Sequence, residues 1–263
     1  MSQYAVIVDF SHLFHVCYGA ALNAGPRYDF AHTINVNAEG KLRTIRKEFE
    51  KLRITNYDTV FAEDRPATRK LELYPPYRGE RADRSGDKAI LKEYLITQLG
   101  YAGRFCHSEG NEADDVIATL ERLASRTQGM FSVIVSSDRD LWQLIGPTTM
   151  VYNPVSYGGK RGMATPDDVW KSFQVQPKHI PLVKALWGDA GDSVPNAAPR
   201  TQRHLLPVVR ETDGTLEDFD RKLEVVWNTL SAKCREVYAA GREQMLVNYQ
   251  LVRLDQHCPL NWT

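Results

Sequence analysis

Residues 133 to 140 read "VIVSSDRD". A short apolar run rich in β-branched residues is a strand signal, and this one stops on two serines and delivers two acids, Asp138 and Asp140. The same pattern occurs twice upstream: "VIVDF" at 6 to 10 ends on Asp9, and "VFAED" at 60 to 64 ends on Glu63 and Asp64. A further run, "TTMVYN" at 148 to 153, follows, and amphipathic stretches near 41 to 53, 87 to 99 and 112 to 126 separate the runs. Strands alternating with helical patterns predict a parallel α/β sheet. In open sheets of that class the carboxyl ends of the strands line the site crevice. Acids far apart in sequence therefore converge.

Two other segments add carboxylates. "EGNEADDVIATL" at 109 to 120 places Glu112, Asp114 and Asp115 ahead of an apolar helical run, and "GRFCHSEG" before it reads as one more short strand. "LWGDAGDSVP" at 186 to 195 supplies Asp189 and Asp192. Any one of these acids alone is an ordinary turn residue or helix cap, since acids in a first helical turn complement the helix dipole. Nine acids, leaving Glu63 aside, over five segments, four of these on one predicted sheet edge, are poorly explained as independent caps. Packed like charges repel unless a cation compensates them. Hard divalent ions favour oxygen ligands, and paired ions serve phosphoryl chemistry by activating water and neutralising developing charge.

The rest of the chain bounds this reading. Its 263 residues are 43% hydrophobic and 25% charged with a formal net charge of zero, an ordinary globular composition without a uniformly basic surface. Cys17, Cys106, Cys234 and Cys258 are widely spaced and form no C-x-x-C pair, which disfavours zinc and a disulfide framework. No apolar stretch approaches membrane-spanning length and no leader precedes "YAVIVDF", so a cytoplasmic protein is expected. "SYGGKRG" at 156 to 162 lacks the spacing of a phosphate loop and reads as a hairpin turn. From about residue 165 strand signals give way to helical ones, including 216 to 253, which predicts a C-terminal helical lobe. His12 and His15 are expected on a helix face beside the site, contacting substrate at most.

These segments resemble the 5′ nuclease, or flap endonuclease, family over about residues 4 to 195. "NEADDV" is similar to the family's V-E-A-D-D segment, "SSDRDLWQLI" to its S-x-D-x-D strand end, and "LVKALWGDAGDSVP" to its A-x-M-G-D-x-x-D-N-I-P signature. The resemblance implies a PIN-like sheet domain at 1 to 165 with a helical arch at about 65 to 95. A helical lobe with a degenerate helix-hairpin-helix then occupies 166 to 263. It implies two Mg²⁺ or Mn²⁺ ions, one nearer Asp9, Asp64, Glu112 and Asp114, the other nearer Asp115, Asp138, Asp140 and Asp192, with Asp189 in support. No family acid is missing. The implied activity is hydrolysis of phosphodiester bonds at DNA 5′ ends, flaps, overhangs or nicks, with removal of RNA primers as a biological task. The expected form is a free-standing, phage-like monomer in a host cytoplasm, with a polymerase or a single-strand-binding protein as partner. A PIN-type ribonuclease and a non-catalytic DNA-binding subunit are the alternatives.

Residues 65 to 92 carry Arg65, Arg69, Lys70, Arg78, Arg81, Arg84, Lys88 and Lys92 among four acids, which alone reads as a solvated basic face. In the family this segment is the arch. "YPPYRGER" is similar to its Y-K-x-N-R element, which implies Tyr77 stacking a base, Arg78 and Arg81 acting on phosphate, and Arg69, Lys70, Arg84 and Lys184 among the nucleic-acid contacts. After Asp192 the chain departs from the family pattern. "SVPNAAPRTQRHLLPVV" has no glycine and carries Pro199 where a glycine-rich hairpin is expected to hold potassium, so the potassium site is not expected here. Arg200 and Arg203 are expected to replace backbone amides as duplex contacts.

Overall fold

The computed structural model describes residues 3–24, 29–78, 85–155 and 162–263. Arg81, Arg84 and the hairpin turn expected at 156 to 161 lie outside the described residues. The "VIV" runs form the centre of a sheet. β1 (Gln3–Asp9) pairs in parallel with β2 (Tyr57–Ala62) on one side and β4 (Met130–Val135) on the other. β3 (Arg104–His107), expected from "GRFCHSEG", extends the β2 side, and β5 (Thr149–Asn153) extends the β4 side, both in parallel. Antiparallel β6 (Gly162–Ala164) and β7 (Asn261–Trp262) close the two edges, giving the order β6-β5-β4-β1-β2-β3-β7. The strand order reverses direction around β1, which opens a crevice at the carboxyl ends there.

Side-chain alternation along the strands builds two cores. Val6 and Val8 of β1, with Val133 and Val135 of β4, pack under α1 (Phe10–Ala24), α2 (Phe30–Lys51) and α4 (Ser85–Leu99), while Ile7 and Ile134 face α5 (Ala113–Ser125). α2 starts well before the expected residue 41. Its first half, "FAHTINVNAEG", has poor intrinsic helix propensity. Burial of Ile34 and Ala38 in the same core as Ile45 and Phe49 overrides that preference. α3 (Thr68–Leu73) stands between β2 and the residues outside the description. In α4, Lys88 and Lys92 lie over the rings of Tyr18 and Phe14 of α1, so this part of the basic segment leans on the sheet domain.

The C-terminal region is helical, as expected: α6 (Pro166–Phe173), α7 (Ile180–Trp187), α8 (Gln202–Arg210), α9 (Leu216–Val226) and α10 (Ala232–Val252). They share a second core that includes Leu182, Leu186, Leu205, Val209, Phe219 and Met245. The chain does not end in that lobe. After α10 it returns to the sheet, where Leu254, Cys258 and Leu260 join Val116 and Ile117 in the α5 core and β7 pairs with β3. No helix among the described residues is long and apolar enough to cross a membrane.

Two glycines set the loop that carries Asp189 and Asp192. Gly188 ends α7 at φ +76°, and a Cβ there would collide with the carbonyls of Val194 and Pro195. Gly241 in α10 lets the helix touch the backbone of Ala197. Asn248 of the same helix donates to the carbonyls of Ala185 (3.0 Å) and Pro195 (2.7 Å). A Gly241→Val chain is therefore expected to lose about 2 kcal/mol or more of stability through overpacking. Urea unfolding checks this, and an unchanged midpoint would show that the contact is dispensable.

Candidate active site

Asp9 ends β1 with its carboxylate held from two sides: the His12 amide donates to Oδ1 (2.8 Å) and the Ser136 hydroxyl to Oδ2 (2.8 Å). Ser136 follows β4 and also accepts the Asp138 amide (3.1 Å), so the two serines of "VIVSSDRD" are structural parts of the site. Asp64 follows β2 and accepts the Ala113 amide (3.0 Å), which satisfies one of the open donors at the start of α5. Asp9, Asp64, Glu112, Asp114 and Asp138 line one cleft of about 510 Å³ with His12, His15, Ser137 and Arg78. The four acids expected around the first ion are thus brought together. Asp138, expected with the second, joins them.

Electrostatics within the cleft is uneven. Burial alone would push Glu112 up, but Lys70 and Arg78, with hydrogen bonds from Lys70 Nζ (2.8 Å) and Tyr77 Oη (2.9 Å), hold it below the ordinary glutamate value. Asp114 has the opposite fate. Burial pushes it well above the ordinary range, and the neighbouring charges of Asp138, Asp9, Glu112 and Asp140 push in the same direction. No cation among the described residues pairs with it. Asp9 is raised to about 6, again by burial first, with its two hydrogen bonds opposing the shift and Asp138 and Asp64 adding to it.

A second group lies beside the first. Asp140, Asp189 and Asp192 each offer a ligand atom, all within 4.8 Å of one another. Lys184 of α7 reaches into the group, contacting Asp140 and, at 2.6 Å, Asp189. Arg78 ties the two groups together: its side chain meets Glu112 and, through Nε, Asp192 Oδ1 (2.8 Å), while its amide donates to the Asp192 carbonyl (3.1 Å). Asp115 belongs to neither group. It is 2% exposed and faces Lys70 Nζ (3.4 Å) and the Asp255 amide (2.8 Å) on the far side of Lys70.

Three expected nucleic-acid contacts have inward roles. Tyr77 is 3% exposed and spends its hydroxyl on Glu112, with Lys70 and Arg78 over its ring faces, so it presents no platform for a base. Lys70 and Lys184 are nearly buried counter-ions of acids, since their carboxylate neighbours outweigh the desolvation that disfavours a buried ammonium. Arg69 is the exposed cation of this face, bridging Asp255 (2.9 Å) and Asn111 (3.3 Å). Arg200 and Arg203 are exposed on and just before α8, with Arg200 at φ +63°. Sequence reasoning missed Gln143 and Asp255, which brace the site from behind. Gln143 lies in "SSDRDLWQLI" but beyond the acids that carry its pattern, and Asp255 lies in no segment with a recognisable pattern.

The donor set suits a hard divalent cation. Asp140, Asp189 and Asp192 bring carboxylate oxygens within 4.8 Å of one another, Asp9, Asp114 and Asp138 line the adjoining cleft, and Asp114 lacks a compensating positive charge among the described residues. Comparison with known proteins agrees with this geometry. The family model for the 5′-3′ exonuclease, N-terminal resolvase-like domain, matches residues 4–174. The chain belongs to this 5′-3′ exonuclease family. A 5′-3′ exonuclease of Aquifex aeolicus is 30% identical over 220 residues, covering 82% of this chain and 70% of the relative. A thermostable DNA polymerase I of Thermus thermophilus is 30% identical over 205 residues, 76% of this chain, and there the match spans 23% of the relative's length. T5 5′-exonuclease with bound zinc superposes with a TM-score of 0.67 at 20% identity, over 97% of this chain and 91% of that one, which places the fold among 5′-exonucleases.

The raised acids of this 5′-3′ exonuclease family member predict a pH dependence. A carboxylate whose folded pKa lies above its unfolded value stabilises the fold at low pH and loses that contribution as pH rises through the folded value. In chelator the protein is expected to be more stable at about pH 5 than at about pH 7.5. The full shift at Asp9 is worth about 3 kcal/mol, of which about half falls between those two pH values. Denaturant unfolding in EDTA at the two pH values tests this, and stability that rises with pH would contradict it.

Proposed function

We propose that this protein is a divalent-metal-dependent 5′ nuclease that hydrolyses phosphodiester bonds at DNA 5′ ends or flaps, with Mg²⁺ or Mn²⁺ as the ion. The observation that carries the reading is Asp114, pressed among Asp9, Asp138, Glu112 and Asp140 in an open cleft with no cation paired to it among the described residues. Bound divalent ions supply an activated water and charge neutralisation on the scissile phosphate. Asp9, Asp64, Asp114 and Asp138 are the residues to hold them on one side, and Asp140, Asp189 and Asp192 on the other. No potassium site is proposed in the loop before α8, where proline and alanine replace the glycines that would let amides converge.

The remaining residues bind and orient. Arg78 lines the cleft between the two acid groups, where its guanidinium, held by Glu112 and Asp192, presents positive charge to a phosphate. His12 rests on Ser137 Oγ (3.0 Å from Nε2) at the same cleft wall and fixes Asp9 through its amide. Arg69, Arg200 and Arg203, with Arg139 at the cleft itself, are among the exposed cations available to the DNA backbone, which they position without reading sequence. Residues 1 to 165 form the nuclease domain in this reading and 166 to 263 the DNA-side lobe, with the last strand returned to the sheet. The non-catalytic alternative leaves uncompensated acids facing phosphate, which only weakens binding.

The test is a time course on a 5′-flap duplex labelled at either end, in Mg²⁺, Mn²⁺ or EDTA, beside a blunt duplex and a single strand. Metal-dependent cutting near the junction or stepwise from the 5′ end is expected. Retained flap binding with no cutting in any metal would overturn the proposal. Asp114→Asn should lower the cleavage rate about a thousandfold, matching the loss of several kcal/mol of metal-mediated stabilisation, while leaving flap binding in Ca²⁺ intact.

A further inference from the structure

The stretch from Val252 to Thr263 leaves the helical lobe and runs behind the acids. Most of its polar contacts fall on elements that carry or adjoin those acids, and two others reach Arg69 of α3 and Phe105 of β3. Gln143, one turn after Asp140, donates from Nε2 to the carbonyls of Asp140 (2.8 Å) and Val252 (3.3 Å) and accepts the Leu254 amide at Oε1 (3.3 Å). The Asp255 amide donates to Asp115 Oδ1 (2.8 Å). Thr119, one helical turn beyond Asp115 in α5 and 3% exposed, donates to the Asp255 carbonyl (3.2 Å) and accepts the Cys258 amide (3.2 Å). Arg122 Nε donates to the Gln256 carbonyl (2.6 Å). At the end of the stretch the Thr263 amide donates to the Phe105 carbonyl (3.1 Å) and its hydroxyl to Glu63 Oε1 (3.3 Å), one residue before Asp64.

We infer that this strap is a positioning element of the acid site: Gln143 ties it to the backbone of Asp140, and Thr119 ties it to α5, the helix whose first turn carries Asp114 beside Asp115. The inference rests on the nuclease reading above for its kinetic consequence, and on geometry for its consequence in metal binding. A sheet edge needs cover against stray pairing, and β7 on β3 supplies that with two residues. Edge cover alone does not account for the rest. Side chains of Gln143, Thr119 and Arg122 take up strap backbone groups one after another; Gln143 also bonds the Asp140 carbonyl, and the strap's own Asp255 amide bonds Asp115. Outer partners that orient ligand groups matter about tenfold to a hundredfold in metal affinity. The strap is also the direct continuation of α10, which packs on α7, the helix that delivers Lys184 and the Asp189 loop. One continuous piece of backbone therefore braces both acid groups from behind.

The experiment compares the full chain with Gln143→Leu, Thr119→Val and the hydroxyl-retaining Thr119→Ser. Mn²⁺ binding is measured by calorimetry without DNA, and kcat and KM on a 5′-flap substrate, with thermal unfolding alongside. Gln143→Leu and Thr119→Val should each weaken Mn²⁺ binding and lower kcat about tenfold, with KM for DNA within about twofold of the parent. Thr119→Ser should restore both. A lowered melting temperature with unchanged Mn²⁺ affinity in the two cutting variants would mean that the strap only covers an edge, and would overturn the inference. So would an unmodified chain that binds no Mn²⁺. If the unmodified chain binds Mn²⁺ but does not cleave, the nuclease reading falls while the calorimetric comparison still decides the role of the strap.

Discussion

Asp9, Asp114 and Asp138 meet in one cleft because β1, β4 and the first turn of α5 end at the same edge of the sheet, and their repulsion sets the terms for everything around them. Burial raises the cost, since a carboxylate removed from water without a counter-charge shifts toward its neutral form. The protein meets part of that cost with dipoles. The His12 amide and the Ser136 hydroxyl serve Asp9, and the exposed amide of Ala113 at the start of α5 serves Asp64. Among the described residues Asp114 receives no such help, and a divalent cation is the species whose charge and oxygen preference fit the remaining deficit.

Neighbouring acids are treated differently. Glu112, Asp189 and Asp192 pair with Lys70, Arg78 and Lys184, cations that the fold itself carries in, while Asp140, also paired with Lys184, is still raised to about 6 by burial. Breaking one member of such a set leaves an uncompensated buried charge, so these pairs serve arrangement more than stability. Arg78 has the most demanding position, because it connects α3's downstream turn to both groups of acids and adopts a left-handed backbone at φ +52° to do so. That conformation is costly for a residue with a Cβ and persists only where the surroundings enforce it. Here the enforcing contacts include its own amide on Asp192 and the ring of Tyr77 beneath its guanidinium.

The sheet and its acid edge were legible in the sequence because both follow from local pattern: β-branched runs fix the strands, and an acid at the end of each run falls on one edge by topology alone. What each acid touches was not legible. Asp114 and Asp115 are adjacent, yet the helical rotation between them sends one into the cleft and the other to Lys70 and the strap. Tyr77, Lys70 and Lys184 look like surface contacts when read by residue type, and only tertiary packing turns them inward. β7 was invisible for a simpler reason. Two residues carry no periodicity, and their pairing depends on a partner strand more than a hundred residues away in sequence.

The inward use of cations also changes how net charge should be understood. A formal charge of zero suggests indifference to a polyanion, but Lys70, Arg78 and Lys184 are committed to acids inside the site and contribute little to the outer field. Attraction for a DNA backbone must come from exposed groups such as Arg200 and Arg203, whose interactions are screened over about 10 Å at ordinary ionic strength. The acid edge repels phosphate over the same range until its charge is compensated. Cation loading and substrate approach are therefore coupled by electrostatics: the ions that would perform the chemistry also remove the barrier that keeps a phosphate away from it.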